Sequence, residues 1–263
     1  MNSRLIAAIT CLSLAAAASA NDGGISYGGA PRLLSGHPSV SMESEVINMT
    51  VGKKSTTVDC RFVFRNHGPA CTVRMGFPDQ GEGANDPDEE HSDDYASRPA
   101  VTLFHSFRSW VDGSEVRTKL IRSNESGLFW HAKTVRFPAN GAHIVRDLYT
   151  VDIGGGIVGV AHQKSVFGAE TSYTLHTGAS WHGPIGRSEV NVRFARPDIT
   201  PPLSLGTRFD SEIANTSAHV IRYAGPCKPT VDGTTLRFVR TNWRPRDADD
   251  IYLAFAMRRY GGQ

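Results

Sequence analysis

The sequence has no long segment in which apolar residues recur at helical spacing, which leaves the strand as its main regular element. Net charge is nearly absent: 28 Lys and Arg against 26 Asp and Glu leave +2. No basic stripe suggests nucleic acid, and no polybasic amphipathic helix suggests a membrane surface. Beyond the first 20 residues no stretch reaches the roughly 18 apolar residues of a spanning helix, so no membrane span is expected. Cysteine is scarce. Of 4 cysteines, Cys60, Cys71 and Cys227 lie past the first 20 residues, and an odd count permits only one intrachain pair. The 10 histidines form no HxH, HExxH or Cys-x-x-Cys companion, so no metal centre and no cofactor is expected.

What is present begins with the leader. Arg4 supplies a positive start, Leu5 to Ala18 is a short apolar run, and Ala18-Ser19-Ala20 is a small-x-small cleavage site. The reading is a secretory signal peptide over 1–20, cut after Ala20, and a secreted or periplasmic product. Cys11 lacks the small preceding residue that lipidation wants. Cleavage leaves 263 − 20 = 243 residues and, without Arg4, a net charge of +1.

Period-two alternation runs through the rest. Val40, Met42 and Val46 alternate in 39–51, and Val58, Cys60, Phe62 and Phe64 share a face in 56–66. Asp112-Gly113, Asn140-Gly141 and Asp232-Gly233 are turn signals beside such runs. The expected fold is all-β: one large antiparallel β-sandwich, or two stacked or intercalated ones. Residues 21–195 form an N-terminal sandwich region, the proline-rich stretch 196–205 is a connection, and 206–263 form a C-terminal region that completes the same sandwich or stands beside it. Asn66 to Ala70 reads as a hairpin loop that sets Arg65 opposite Cys71 and Cys60 opposite Gly76. That register puts Cys60 and Cys71 on opposite faces, too far apart to bond; the alternatives are a bond from Cys227 to one of them or three unpaired thiols. Gly154-Gly155-Gly156 lacks a phosphate-loop context and reads as a flexible turn.

Two stretches carry candidate chemistry. The acidic loop 81–98 offers Asp86, Asp88, Glu90 and Asp93 as calcium ligands, but the ordered alternation of a calcium loop is missing, and a solvated loop is the expectation. In YTLHTGASWHGPIG (173–186) a strand breaks into glycine, tryptophan, histidine and proline. Ser180 misses the G-x-S-x-G elbow by one residue. His176 and His182 flank the break and would serve a metal or acid–base role if they converged. Trp181 is either a buried corner plug or an exposed stacking platform, a role Trp243 could share.

The sequence resembles a family of exported bacterial proteins known only as a domain of unknown function. The residues that carry the resemblance are Gly28-Gly29, Met42-Glu43-Ser44-Glu45, F-R-N…G-F-P from Phe64 to Pro78, Y-x-L-x-T-G-x-x-W-x-G-P-I from Tyr173 to Ile185, and N-W-x-P-x-D from Asn242 to Asp247. It implies an exported β-rich protein and no catalytic residue or substrate. The expected function is that of a non-enzymatic binding protein, or a structural component of the envelope or cell exterior, with a protein or glycan partner. The rivals are a carbohydrate-binding module using exposed Trp181 or Trp243, and a hydrolase or metalloenzyme using His176 and His182.

Overall fold

A computed structural model describes residues 27–35, 39–80, 102–123, 128–161, 164–207 and 220–259. The leader and the acidic loop, with Asp86, Asp88, Glu90 and Asp93, lie outside the described residues. The strands in chain order are β1 (Tyr27–Gly28), β2 (Arg32–Ser35), β3 (Val40–Val51), β4 (Ser55–Asn66), β5 (Cys71–Gln80) and β6 (Ser106–Val111). There follow β7 (Ser114–Val116), β8 (Lys119–Arg122), β9 (Leu128–Phe137), β10 (Ala142–Asp152), β11 (Gly154–Ala161) and β12 (Lys164–Tyr173). The last six are β13 (Ile185–Phe194), β14 (Ser204–Thr207), β15 (Val220–Ala224), β16 (Thr230–Asp232), β17 (Thr235–Trp243) and β18 (Ile251–Arg259).

The fold is all-β, in three sheets. A central eight-stranded sheet has the order β16-β17-β13-β3-β4-β10-β6-β7. One five-stranded sheet runs β1-β5-β9-β8 with β2 also on β5, and the other runs β11-β12-β18-β15-β14. One apolar cluster joins all three: Phe62 and Phe64 from the central sheet, Met75 and Phe77 from the first small sheet, Leu253 and Phe255 from the second. The C-terminal region is woven into this unit, since β17 pairs with β13 and β18 with β12. The stretch 196–205 connects two sheets over one core and buries Ile199 within it. Among the described strands pairing is antiparallel except for β13 with β3 and β14 with β15, which are parallel, as is the isolated bridge from Gly29 to Thr174.

Local turn chemistry is obeyed where both turn residues need positive φ. Asp112 (48°) and Gly113 (82°) close the β6–β7 hairpin, as a type I′ turn demands. Asp232-Gly233 likewise turns β16 into β17, with Gly233 at φ 56° and Asp232 paired to Thr235. The two other expected hairpins, at Asn66–Ala70 and Asn140-Gly141, are not hairpins. β4 pairs with β3 and β10, whereas β5 pairs with β1, β2 and β9, so the chain changes sheet at Asn66–Ala70. The same happens at Asn140-Gly141 between β9 and β10. The two corners brace each other. Asn66 Nδ2 donates to the carbonyls of Pro69 (2.6 Å) and Pro138 (3.0 Å), and the Asn140 amide donates to Gly68 O (3.1 Å). Cys71 therefore faces Phe137, and Cys60 lies between Ile47 and Asp147. Gly154–Gly156, expected as a turn, opens strand β11 and pairs with Glu170, Ala169 and Gly168.

One register shift matters for chemistry. A bulge between Met42 and Ser44 reverses the phase of β3. Val40 and Met42 face the core before it; Glu45, Ile47, Met49 and Val51 do so after it. The alternation of Met42 with Val46 breaks there, and a carboxylate enters the core.

Candidate functional site

The stretch 173–186 is a clasp. β12 ends at Tyr173, a short 3-10 turn spans His176–Ser180, and β13 begins at Ile185. Trp181 is 2 % exposed, lies against Phe64 with ring centroids 4.4 Å apart, and donates its indole N–H to Pro31 O at 2.6 Å. Thr177 Oγ1 donates to Ala30 O, and Ser180 Oγ accepts the Leu33 amide and donates to Thr177 O. The Gly29 backbone sits so close to the Thr174 carbonyl that any side chain there would collide with it. Arg244 donates to the carbonyls of Ala179 (2.9 Å) and Gly183 (3.1 Å). Residues from the Gly28-Gly29, Phe64, Tyr173–Ile185 and Asn242–Asp247 patches thus meet at one corner and grip the N-terminal segment.

The candidate residues of this stretch are placed apart. His176 Nδ1 lies 2.7 Å from Asp250 Oδ2, whose hydrogen bond raises the imidazole pKa. His182 is exposed and its ring lies near that of His67, 6.4 Å between centroids. The two histidines answer to different partners, and among the described residues no group of three His, Cys, Asp or Glu could hold a metal. Trp243 is 7 % exposed, so neither it nor Trp181 presents a stacking platform. Of the two alternatives for the cysteines, the bond from Cys227 to Cys60 or Cys71 is not made; all three are free thiols. Cys60 faces the core 3.6 Å from the Tyr173 hydroxyl, and Cys227 lies 3.7 Å from Val239 O, on the far side of β3 and β13 from β4.

Charged groups also enter the core, each with a partner. Glu45 is fully buried; its Oε1 accepts the Ser188 hydroxyl at 2.7 Å, and its Oε2 has no hydrogen-bond partner. Burial pushes its pKa up to about 7 against the lowering effect of Ser188. Asp79 accepts hydrogen bonds from the Thr102 hydroxyl (2.6 Å) and the Leu103 amide (3.2 Å), and His131 Nε2 lies 3.0 Å away. Thr102 and His131 Nε2 share one Asp79 oxygen, so no relay from nucleophile to base to carboxylate exists there. Lys133 Nζ, from β9, donates to both Asp147 oxygens at 2.5 and 2.8 Å and to Ser109 Oγ at 2.8 Å.

An open groove lies elsewhere, where the central sheet meets the second small sheet. A groove of about 900 Å³ is lined by Lys53 and Lys54 of the β3–β4 turn, Asp152 to Gly155, Gly168 and Ala169 of β12, Arg196 and Asp198, and Ala256 to Arg258 of β18. Arg196 holds Asp198 in a bidentate pair at 3.0 and 2.7 Å, and Asp152 pairs with His105 at 3.0 Å. Lys53, Lys54 and Arg258 are exposed and have no ion pair among the described residues. The lining carries four cations against two carboxylates. At Gly155 an added side chain would meet only the Gly168 carbonyl, 3.5 Å away, so a ligand can approach the peptide itself. Ala256 has φ 51°, a left-handed conformation costly for alanine, at the bulge that breaks the β12–β18 register. None of these residues carries a motif. Lys53 and Arg258 are some two hundred residues apart, on the central and second small sheets, and the packing of those sheets over one core brings them to one groove.

Neither a protein-family model nor a curated protein matches the sequence. A solved structure shares the fold. A candidate nutrient binding protein from Legionella pneumophila is 18 % identical with a TM-score of 0.61, over 89 % of this chain and 71 % of that one. A zinc metallopeptidase from Deinococcus radiodurans and yeast LTA4 hydrolase align at 9 % and 10 % identity, with TM-scores of 0.35 and 0.42 over 43 % and 29 % of their chains, too distant to carry an argument. The chain has the all-β architecture of the Legionella protein.

Proposed function

We propose that the protein is exported and acts by binding, taking a small multivalent anion in the groove between the central and second small sheets. The observation that carries this reading is the set Lys53, Lys54 and Arg258: three exposed cations with no ion pair among the described residues, Lys53 near enough to Asp198 to stabilise its carboxylate, around an approachable glycine backbone. Some charged groups elsewhere are paired within the scaffold, as Glu189 with Arg237 and Arg187, or Asp59 with Arg146, whereas Arg74, Arg117 and Lys119 line a smaller pocket of about 330 Å³ without ion pairs among the described residues. The strained Ala256 in the groove is the kind of outlier that clusters at binding sites. The leader sequence supports export. The described role of the Legionella neighbour, nutrient binding, agrees with a small ligand. A sugar-stacking role has lost its two tryptophans to the core.

Calorimetric titration of the mature protein with inorganic phosphate and with citrate tests the proposal. Saturable binding should weaken as salt rises and vanish in a Lys53→Ala, Lys54→Ala, Arg258→Ala variant. Absence of heat with either anion, or equal binding by the triple variant, would remove the groove as the site.

A further inference from the structure

Lys133 and Asp147 hold more than an ion pair needs. Their side chains are 3 % and 0 % exposed. Lys133 projects from β9 of the first small sheet, and Asp147 from β10 of the central sheet, so the contact crosses the sandwich. Asp147 is flanked on its own sheet by Ser109 and Cys60, its direct neighbours on β6 and β4. Ser109 Oγ is already bonded to Lys133 Nζ at 2.8 Å. An amine nitrogen is therefore fixed against a carboxyl group in a place shielded from water, with a hydroxyl beside both. That is the arrangement in which proximity replaces activation.

We propose that Lys133 and Asp147 condense into an intramolecular amide that ties β9 to β10. The proton shared along the Nζ–H···Oδ hydrogen bond passes to the carboxylate, leaving a neutral amine and a neutral acid. The Nζ lone pair attacks Cγ, and the C–N bond forms. Ser109 Oγ accepts a proton from nitrogen and supplies one toward the departing oxygen. The C–O bond breaks and one water leaves. No oxidant, metal or activated donor is consumed. Burial favours the product, because an uncharged amide replaces two desolvated charges. The tether closes a loop of 147 − 133 = 14 residues around the β9–β10 corner. It would do for this protein what its three free thiols do not, a covalent link between sheets.

Intact mass of the purified mature protein, with its N-terminus sequenced, decides the matter. The expected mass is that of the chain less one water, with a branched proteolytic peptide joining the segments that hold Lys133 and Asp147. Asp147→Ala, measured under denaturing conditions so that folding is not required, should show the full mass. Ser109→Ala should form the bond more slowly, seen as a mixture of the two masses soon after synthesis. A parent protein of full mass would overturn the proposal. So would a water loss that maps elsewhere, such as to a cyclised Asp112-Gly113 or Asp232-Gly233.

Discussion

Glu45→Gln should change the pH dependence of stability in a calculable way. Glu45 sits inside the central sheet because of the β3 bulge, with one oxygen on Ser188 and the other without a partner. Burial raises its pKa from the ordinary 4.5 to about 7. Below pH 4.5 the group is protonated in folded and unfolded chains alike and makes no difference. Between 4.5 and 7 the folded state holds the extra proton, so stability falls as pH rises; above 7 the loss is complete. At roughly 1.4 kcal/mol per pH unit the loss amounts to about 3 kcal/mol. Glutamine keeps the shape and the acceptor for Ser188 but cannot ionise. Urea melts of parent and variant at about pH 4.5 and about pH 8 give the difference, in which His176 and the other titrating groups cancel. The variant should gain about 3 kcal/mol on the parent between the two conditions. A difference that does not change with pH would refute the buried, unpaired carboxylate.

Two further outcomes follow from the clasp and the thiols. Trp181→Ala removes a buried ring and its bond to Pro31 O and should cost about 3–5 kcal/mol in a urea melt, while His182→Ala at an exposed position should stay within about 0.5 kcal/mol. Without reductant, native protein should react with a thiol reagent at Cys71 and Cys227 but not at Cys60, whose thiol pKa burial raises, and unfolded protein should react at all three; a cysteine that reacts only after reduction would show a disulfide.

The sequence made the strands legible, because side-chain alternation is local, and it marked Asp112-Gly113, because positive φ at two residues leaves few choices. It did not reveal which strands pair. The Asn66 corner looks like a hairpin loop until its side chain is seen to reach Pro138, 72 residues away. Glycines 154–156 suggested a turn, since composition does not record that an uncharged glycine strand can still complete a ladder. The inward Glu45 depends on a bulge, and a one-residue slip is invisible to a period-two pattern. Trp181 was readable as a corner or a platform; only Pro31 and Phe64, distant in sequence, decide its burial. The groove left no local signal, as Lys53 and Lys54 come from the β3–β4 turn and Arg258 from β18, with nothing in common but their place.

The most direct measurement is a two-dimensional amide NMR titration of the mature protein with citrate. The account predicts progressive shifts concentrated at Lys53, Lys54, Gly154, Gly155, Gly168 and Ala256 to Arg258, with the 173–186 clasp unmoved. An unchanged spectrum, or shifts centred on the clasp, would contradict it.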